Sequence, residues 1–289
     1  MRLGVISDGV SRDVQTAAAV AREAGLSDIE FQYMWDFEVG DAHMPDNKRR
    51  LAKQLVEDNG LQVSCLSRHI FARQPLATEI ASAAYCEQMD ALSRCIALAH
   101  ELACDMVRIM SFRREMILFG AGGAEHWIVA NGAWDKLRVL LEAPLRLAEK
   151  EGIRLVIETG NGTTINSAQM MSRLIDDLGA HHHLFALWDP CNALYCGEAP
   201  CPDGIAALGG GKTGHVHIKD AVVRPARSTV DFCRLGTGDM TAYLRPIAEF
   251  LRTENYAGSV SLESTYRPAG GDFIDGFRES ISLFKEIYG

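Results

Sequence analysis

Four short apolar segments in the second half of the chain each carry a side chain suited to metal binding or proton transfer. LVIE ends at Glu158, FALWD ends at Asp189, HVHIKD contains His217, and SVSLE ends at Glu263. Segments rich in Val, Ile and Leu are typical of strands buried on both faces, where an unpaired carboxylate is energetically costly. Four such residues therefore predict one shared ligand, and a divalent cation accounts for three acids and a histidine.

Each of these residues also has an ordinary structural explanation. Glu158 could bind a backbone amide or an arginine, Asp189 could cap the following turn, and Glu263 could form a salt bridge. The spacing favours a joint site, because each of the first two gaps along the chain corresponds to one strand and one helix. The last gap, before Glu263, is longer by about the length of an inserted loop. We therefore expect all four side chains at the C-terminal ends of neighbouring strands.

The segment HVHIKD places three basic side chains on one face, since side chains alternate along a strand. They are His215, His217 and Lys219. If this face lines the interior, His217 lies level with the acids and Lys219 points towards a substrate. His215 would lie one layer deeper, and we expect it to be a hydrogen-bonded core histidine rather than a ligand.

Two further residues are candidate substrate contacts. Arg108 faces inward if its neighbours Val107 and Ile109 face the helices. It could then anchor an oxyanion or a phosphate, or simply pair with Glu158. His69 follows the third predicted strand and would lie at the same end of the molecule.

Eight strand-like segments alternate with helix-like segments and would position these side chains. The strands are predicted at 2–6, 28–32, 61–66, 105–110, 154–158, 185–189, 215–219 and 259–263. Alternation at about 36 residues per unit predicts an α/β fold, a (β/α)₈ TIM barrel, with its active site at the C-terminal strand ends. A doubly wound open sheet is the alternative, but no GxGxxG follows the first strand, which argues against its dinucleotide-binding form.

The chain shows no low-complexity linker, so we expect one domain over residues 1–289. Two predicted connections are unusually long, at 111–134 and 220–240. Both follow strands and would therefore rise over the C-terminal face, either as lids or as surface loops.

Composition limits the classes of partner and compartment. A formal net charge of −9 argues against nucleic acid as a partner but leaves a small phosphorylated substrate possible. No apolar run is long enough for a membrane span, and the N-terminus shows no signal-like apolar stretch, so we expect no membrane association and a cytoplasmic location. The eight cysteines form no CxxC pair and are expected to be reduced, packed thiols. A homo-oligomer remains possible.

The motifs together resemble those of the xylose-isomerase-like TIM-barrel superfamily, the sugar phosphate isomerases and epimerases. The similar segments are IETGN, the D-x-x-N of Asp189 to Asn192, HVHIKD, LGTGDM and YAGSVSLE. The opening GVISDGVSRDVQTAAAVAREAGLSDIEF is also similar, so the resemblance covers nearly the whole chain. Class II AP endonucleases share the barrel but use three metals and many more histidines, which makes a DNA-repair role the poorer interpretation.

The resemblance implies a ligand set and a chemistry. One divalent cation would be bound by four residues: Glu158, Asp189, His217 and Glu263. The two glutamates would double as the acid–base pair on either face of a sugar carbon. The position of Asn192 is often a histidine that touches substrate, and asparagine can hydrogen-bond there but cannot shuttle a proton.

The expected reaction is proton transfer beside a carbonyl, through an enediolate, giving isomerisation or epimerisation of a sugar or sugar phosphate. Mn²⁺ is the expected cation, with Mg²⁺, Co²⁺ or Zn²⁺ open. The expected substrate contacts are Lys219, Arg108, His69 and Asn192. One alternative is a metal-dependent dehydratase, a lyase acting on a keto-inositol or dehydroshikimate type substrate. The other is a non-catalytic sugar-binding barrel, in which the acids pair with Arg or Lys instead.

Overall fold

The computed structural model describes residues 1–114, 132–227 and 229–289. Within these ranges, parallel strands follow one another in chain order around a closed barrel, and the last strand pairs with the first. The barrel strands are β1 Arg2–Ile6, β2 Asp28–Phe31, β3 Gln62–Ser67, β4 Met106–Ile109, β5 Arg154–Glu158, β6 Leu184–Trp188, β7 Thr213–Ile218 and β8 Ser259–Leu262. The (β/α)₈ TIM barrel predicted from the sequence is confirmed.

Helices connect the successive strands and cover the outside of the barrel. They are α1 Val14–Glu23, α2 Asp46–Asp58, α3 Ala83–Glu101, α4 Ala133–Glu151, α5 Ala168–Asp177, α6 Pro190–Tyr195, α7 Ile205–Leu208, α8 Leu244–Thr253 and α9 Phe273–Tyr288. Side-chain caps start several of them, for example Ser82 on α3 and Ser167 on α5. None of the helices in the described ranges combines the length and the apolar character that crossing a bilayer requires.

The predicted bounds of β1 and β5 match the structure, and those of the other six strands differ by one or two residues, which affects where the site residues lie. Asp189, Lys219 and Glu263 each lie one residue beyond the end of their strand, whereas Glu158 is the last residue of β5. These side chains therefore stand at the barrel mouth, where the chain leaves the sheet. Asp189 also caps α6, because its carboxylate accepts the backbone N–H of Asn192 at 3.0 Å. The turn-capping role considered for Asp189 is thus present, and it uses only one carboxylate oxygen.

An irregularity in the pairing of β6 with β7 determines the direction in which the basic side chains of β7 point. Ala186 pairs with Thr213 and Leu187 with His215, so Gly214 is an extra residue. A side chain at Gly214 would collide, because its Cβ would lie 2.6 Å from Phe185 Cβ. Bulges of this kind re-aim the side chains that follow. Beyond this bulge, His215 and His217 both point into the barrel and are fully buried.

The connection predicted over 220–240 is not an open loop. It forms an antiparallel hairpin of Asp220–Arg224 with Thr229–Cys233, directly after β7. The carboxylate of Asp220 fixes the return of the chain, since it accepts backbone N–H groups of Gly236, Gly238 and Met240 at 2.9–3.0 Å. Most of the other long connection, including FGAGGAEHW, falls in 115–131, outside the described residues.

Candidate active site

Four side chains from consecutive strands meet at the C-terminal mouth of the barrel. Glu158, Asp189, His217 and Glu263 each offer one ligand atom, and these atoms all lie within 4.8 Å of one another. Asp189 and His217 are fully buried, and the side chain of Glu263 keeps 23% of its surface exposed. The grouping expected from the sequence is therefore present, and metal binding by these residues stays a prediction.

Lys219 lies between two of these acids. Its ammonium is 2.5 Å from Asp189 Oδ2 and donates a hydrogen bond of 2.7 Å to Glu263 Oε2. Burial alone would lower the pKa of Lys219, but the carboxylates of Asp189 and Glu263 outweigh it and raise the pKa well above its ordinary value. Lys219 was expected to point at a substrate. In the structure it holds two carboxylates, and its contact with a substrate stays a prediction.

Lys219 affects the two acids unequally. Burial raises the pKa of Glu263, but Lys219 and His217 outweigh it, so the pKa falls below its usual range. For Asp189, burial is stronger than the attraction of Lys219, and the pKa is raised. The hydrogen-bond geometries agree, since Lys219 donates to Glu263 while Asp189 Oδ2 has a close ion pair without hydrogen-bond geometry.

Arg108 and Asn192 hold Glu158 from two sides. Arg108 Nη1 donates to Glu158 Oε2 at 2.7 Å, and Asn192 Nδ2 donates to Glu158 Oε1 at 3.2 Å. Arg108 also donates to the backbone carbonyl of Ser67 at 2.9 Å. Of the two roles left open for Arg108, the pairing with Glu158 is observed. Arg108 and Asn192, two of the predicted substrate contacts, thus fix the orientation of Glu158.

His69 stands at the mouth beside Arg108. Its Nδ1 lies 3.0 Å from the side-chain nitrogen of Gln32, and both ring nitrogens lie 3.4 Å from Arg108 Nη2. The Arg108 guanidinium, helped by burial, holds the pKa of His69 below its ordinary value. The residue keeps contact with solvent at the mouth, and the lowered pKa leaves its ring uncharged near pH 7. It can therefore offer an uncharged ring nitrogen to a ligand.

Glu30 on β2 belongs to the same site, and the sequence analysis missed it. Its carboxylate is fully buried and lies 3.0 and 3.1 Å from His217 Nε2 and 2.7 Å from His215 Nε2. Ser67 donates a hydroxyl hydrogen bond to it. His215 is confirmed as a hydrogen-bonded core histidine, with Ser261 Oγ as a further partner at 3.2 Å. The available signal was an acid, Glu30, between the apolar residues Ile29 and Phe31 of a predicted strand.

The charges of the site are not balanced by the protein alone. The described residues bring together four carboxylates and two fixed cations, namely Glu30, Glu158, Asp189 and Glu263 against Arg108 and Lys219. Four negative charges against two positive ones leave a surplus of two. Burial lowers the pKa of His217, but Glu30 outweighs it and raises the pKa to about 9, so a protonated His217 offsets one charge. A divalent cation would offset both.

Within the ranges that the structure describes, two buried polar atoms of this group have no hydrogen-bond partner. They are His217 Nδ1, which lies 3.6 Å from Glu263 Oε2, and Asp189 Oδ2. Asp189 Oδ2 already has the ion pair with Lys219, but buried polar atoms are normally hydrogen-bonded, so His217 Nδ1 needs an explanation. The donor set of carboxylate oxygens and one imidazole nitrogen suits Mg²⁺, Mn²⁺ or Zn²⁺. The residues present therefore fit a divalent cation, even though Arg108 and Lys219 already pair with the acids as expected for a metal-free barrel.

Comparisons with known proteins agree with this fold. The family described as xylose isomerase-like TIM barrel matches residues 18–287. Among solved structures, an L-ribulose 3-epimerase superposes with a TM-score of 0.73 at 22% identity, covering 99% of this chain and 94% of that chain. The D-allulose 3-epimerase from Methylomonas sp., solved with D-allulose, gives 0.73 at 17% identity, covering 100% and 97%.

A 3-keto-D-glucoside 4-epimerase from E. coli gives a TM-score of 0.72 at 17% identity, covering 99% of both chains. A search of curated proteins gives no match. At these identities the structural likeness shows a shared fold.

Proposed function

This chain belongs to the xylose isomerase-like TIM barrel family, and from that premise we propose that it is a metal-dependent isomerase or epimerase of sugars or sugar phosphates. One observation carries the proposal. A compact group of three carboxylates and a histidine lies at the barrel mouth, and within the described residues its buried His217 Nδ1 has no hydrogen-bond partner. The neighbours named above act on L-ribulose, D-allulose and a keto-glucoside, which supports a sugar with a carbonyl as the substrate class.

We assign the proton transfer to the two glutamates. Glu158 ends β5 and Glu263 follows β8, with β6 and β7 between them, so their carboxylates enter the mouth from two sides. In an epimerisation, one glutamate takes the proton from the carbon beside the carbonyl and the other returns a proton to the opposite face. In an isomerisation, the proton is returned to the neighbouring carbon, and one glutamate suffices.

The surrounding residues orient the reacting groups. A bound divalent cation, for which we propose Mn²⁺ held by Glu158, Asp189, His217 and Glu263, would polarise the substrate carbonyl and the adjacent hydroxyl. Arg108 and Asn192 keep Glu158 in one orientation, so its carboxylate needs little reorganisation. Lys219 and Arg108 bring positive charge to the mouth and can stabilise a developing oxyanion.

Sugar turnover in heavy water tests this function. The purified protein with Mn²⁺ is incubated in deuterated buffer with each of a panel of sugars. The panel contains L-ribulose, D-allulose, D-fructose, keto-glucosides and the phosphate esters of these sugars. We expect at least one sugar to take up deuterium beside its carbonyl and to yield an epimer or isomer, and a chelator to abolish both. Loss of water without an isomerised sugar would identify a dehydratase. Sugar binding without any exchange would identify a non-catalytic barrel.

His69 should contribute to substrate binding more than to turnover. His69→Leu removes a neutral hydrogen-bonding ring from the mouth, and we expect KM to rise about 10-fold with kcat changed less. Steady-state kinetics on the sugar found above measure both constants. His182→Leu is the matched control, because His182 is exposed in the loop that leads into β6, at the opposite end of the barrel. An unchanged KM in His69→Leu would exclude the contact.

A further inference from the structure

The buried carboxylate of Glu30 has no place in the predicted ligand set or in the acid–base pair. It is nevertheless held by more side chains than any acid of the mouth described above. His215 Nε2 lies 2.7 Å from Oε2, His217 Nε2 lies within 3.1 Å of both oxygens, and the Ser67 hydroxyl donates to Oε1. Isolated charges are costly in a barrel core, so this network indicates a specific role.

The two ring nitrogens of His217 have different surroundings. Nε2 faces Glu30, on the inner side of the site. Nδ1 faces the mouth, where it lies 3.6 Å from Glu263 Oε2 and has no hydrogen-bond partner in the described part of the chain. If the ring turned over, Nε2 would leave both oxygens of Glu30. The carboxylate would then be buried with one histidine fewer.

Glu30 itself cannot easily move. Ser67 on β3 and His215 on β7 hold it from two strands, and all three side chains are fully buried. The pairing of β2 with β3 is irregular between Ile29 and Glu30, which sets the direction of this side chain.

We propose that Glu30 is a positioning residue, which holds the Nε2–H of His217 and thereby makes Nδ1 the nitrogen offered to a divalent cation. The inference rests on the proposed function in one respect, that the four-residue group binds a cation. Partners that orient a metal-binding histidine typically contribute about 10–100-fold to metal affinity. Glu30 would act on the metal through His217 without touching it.

The test uses Zn²⁺ alone as a diamagnetic probe, with protein labelled with ¹⁵N at histidine. Correlation spectra of the imidazole ring should place the proton of His217 on Nε2 and the metal on Nδ1. Glu30→Ala should lower Zn²⁺ affinity by about 10–100-fold and give a mixture of Nδ1 and Nε2 coordination. Glu30→Gln keeps an oxygen that can accept Nε2–H, so it should retain Nδ1 coordination and lose less affinity than Glu30→Ala.

The metal-free protein gives an independent readout. The Nε2 proton of His217 should exchange slowly with solvent in the wild type and quickly in Glu30→Ala. Glu101→Gln is the matched control and should change neither measurement, since Glu101 lies at the end of α3 and pairs with Arg49 at the surface. If Glu30→Ala does not fold, the Zn²⁺ affinity of Glu30→Gln tests the proposal. We expect that affinity to be at least about threefold lower than in the wild type.

The outcomes separate the two proposals. Zn²⁺ binding by the wild type with unchanged affinity and Nδ1 coordination in the folded Glu30 variants would overturn the positioning role alone. Coordination of wild-type His217 through Nε2 would also overturn it. A wild-type protein that binds no divalent cation would overturn the proposed function together with this inference.

Discussion

Replacing Glu158 or Glu263 by glutamine should reduce deuterium exchange beside the substrate carbonyl by roughly 10²–10⁴-fold, the usual contribution of a positioned general base. Glutamine keeps an oxygen that can ligate a cation but cannot accept the substrate proton. Metal affinity should therefore fall much less than exchange does. Exchange is followed by NMR of the sugar in heavy water, and metal affinity by calorimetry with Mn²⁺.

The two variants differ in a way that the structure predicts. Glu158→Gln leaves Arg108 without its buried carboxylate partner, so its unfolding must be measured alongside exchange. Glu263 is partly exposed and should tolerate the change better. Glu142→Gln, which alters an exposed pair with Arg146 on α4, is the matched control and should exchange normally. Undiminished exchange in both site variants would contradict the two-glutamate mechanism.

Lys219→Met should destabilise the metal-free protein by about 3 kcal/mol, because a buried charge that loses its partner is strongly unfavourable. The variant leaves Asp189 and Glu263 facing each other without the ammonium between them. Divalent cations should then bind at least about 10-fold more tightly, since the competing positive charge is gone. Turnover should fall, because the mouth loses a cation that orients the substrate.

Thermal unfolding with and without Mn²⁺ measures the loss of stability in Lys219→Met, and calorimetry measures its affinity for Mn²⁺. Lys212→Met is the matched control, since Lys212 pairs with Asp176 on the surface and its loss should cost no more than about 1 kcal/mol. Weaker Mn²⁺ binding in Lys219→Met would show that Lys219 supports the geometry of the acids instead of competing with the cation.

The sequence predicted the barrel and the grouping of the four residues for a physical reason. In a parallel barrel, position at a strand end and spacing by one strand–helix unit translate directly into adjacency in space. The four residues could therefore be predicted to lie together from their own positions along the chain, without knowing which side chains they contact. The same regularity predicted that His215 and His217 share the inner face of β7.

The contacts across the barrel were not predictable in this way. Glu30 and His217 are 187 positions apart along the chain and lie on β2 and β7, which are not neighbours. Nothing in the local pattern of either strand indicates which residue lies opposite. Lys219 was assigned to the right face, but its two carboxylate partners follow from where β6 and β8 end, one residue before Asp189 and Glu263.

The most direct test of the central claim is the anomalous scattering of a crystal soaked with Mn²⁺. We expect one peak at the barrel mouth, at ligand distances of about 2.0–2.5 Å from carboxylate oxygens of Glu158, Asp189 and Glu263 and from His217 Nδ1. Lys219 should have moved away from at least one of its carboxylates. A fully loaded crystal in which these four side chains lie more than about 4 Å from any peak would contradict the account.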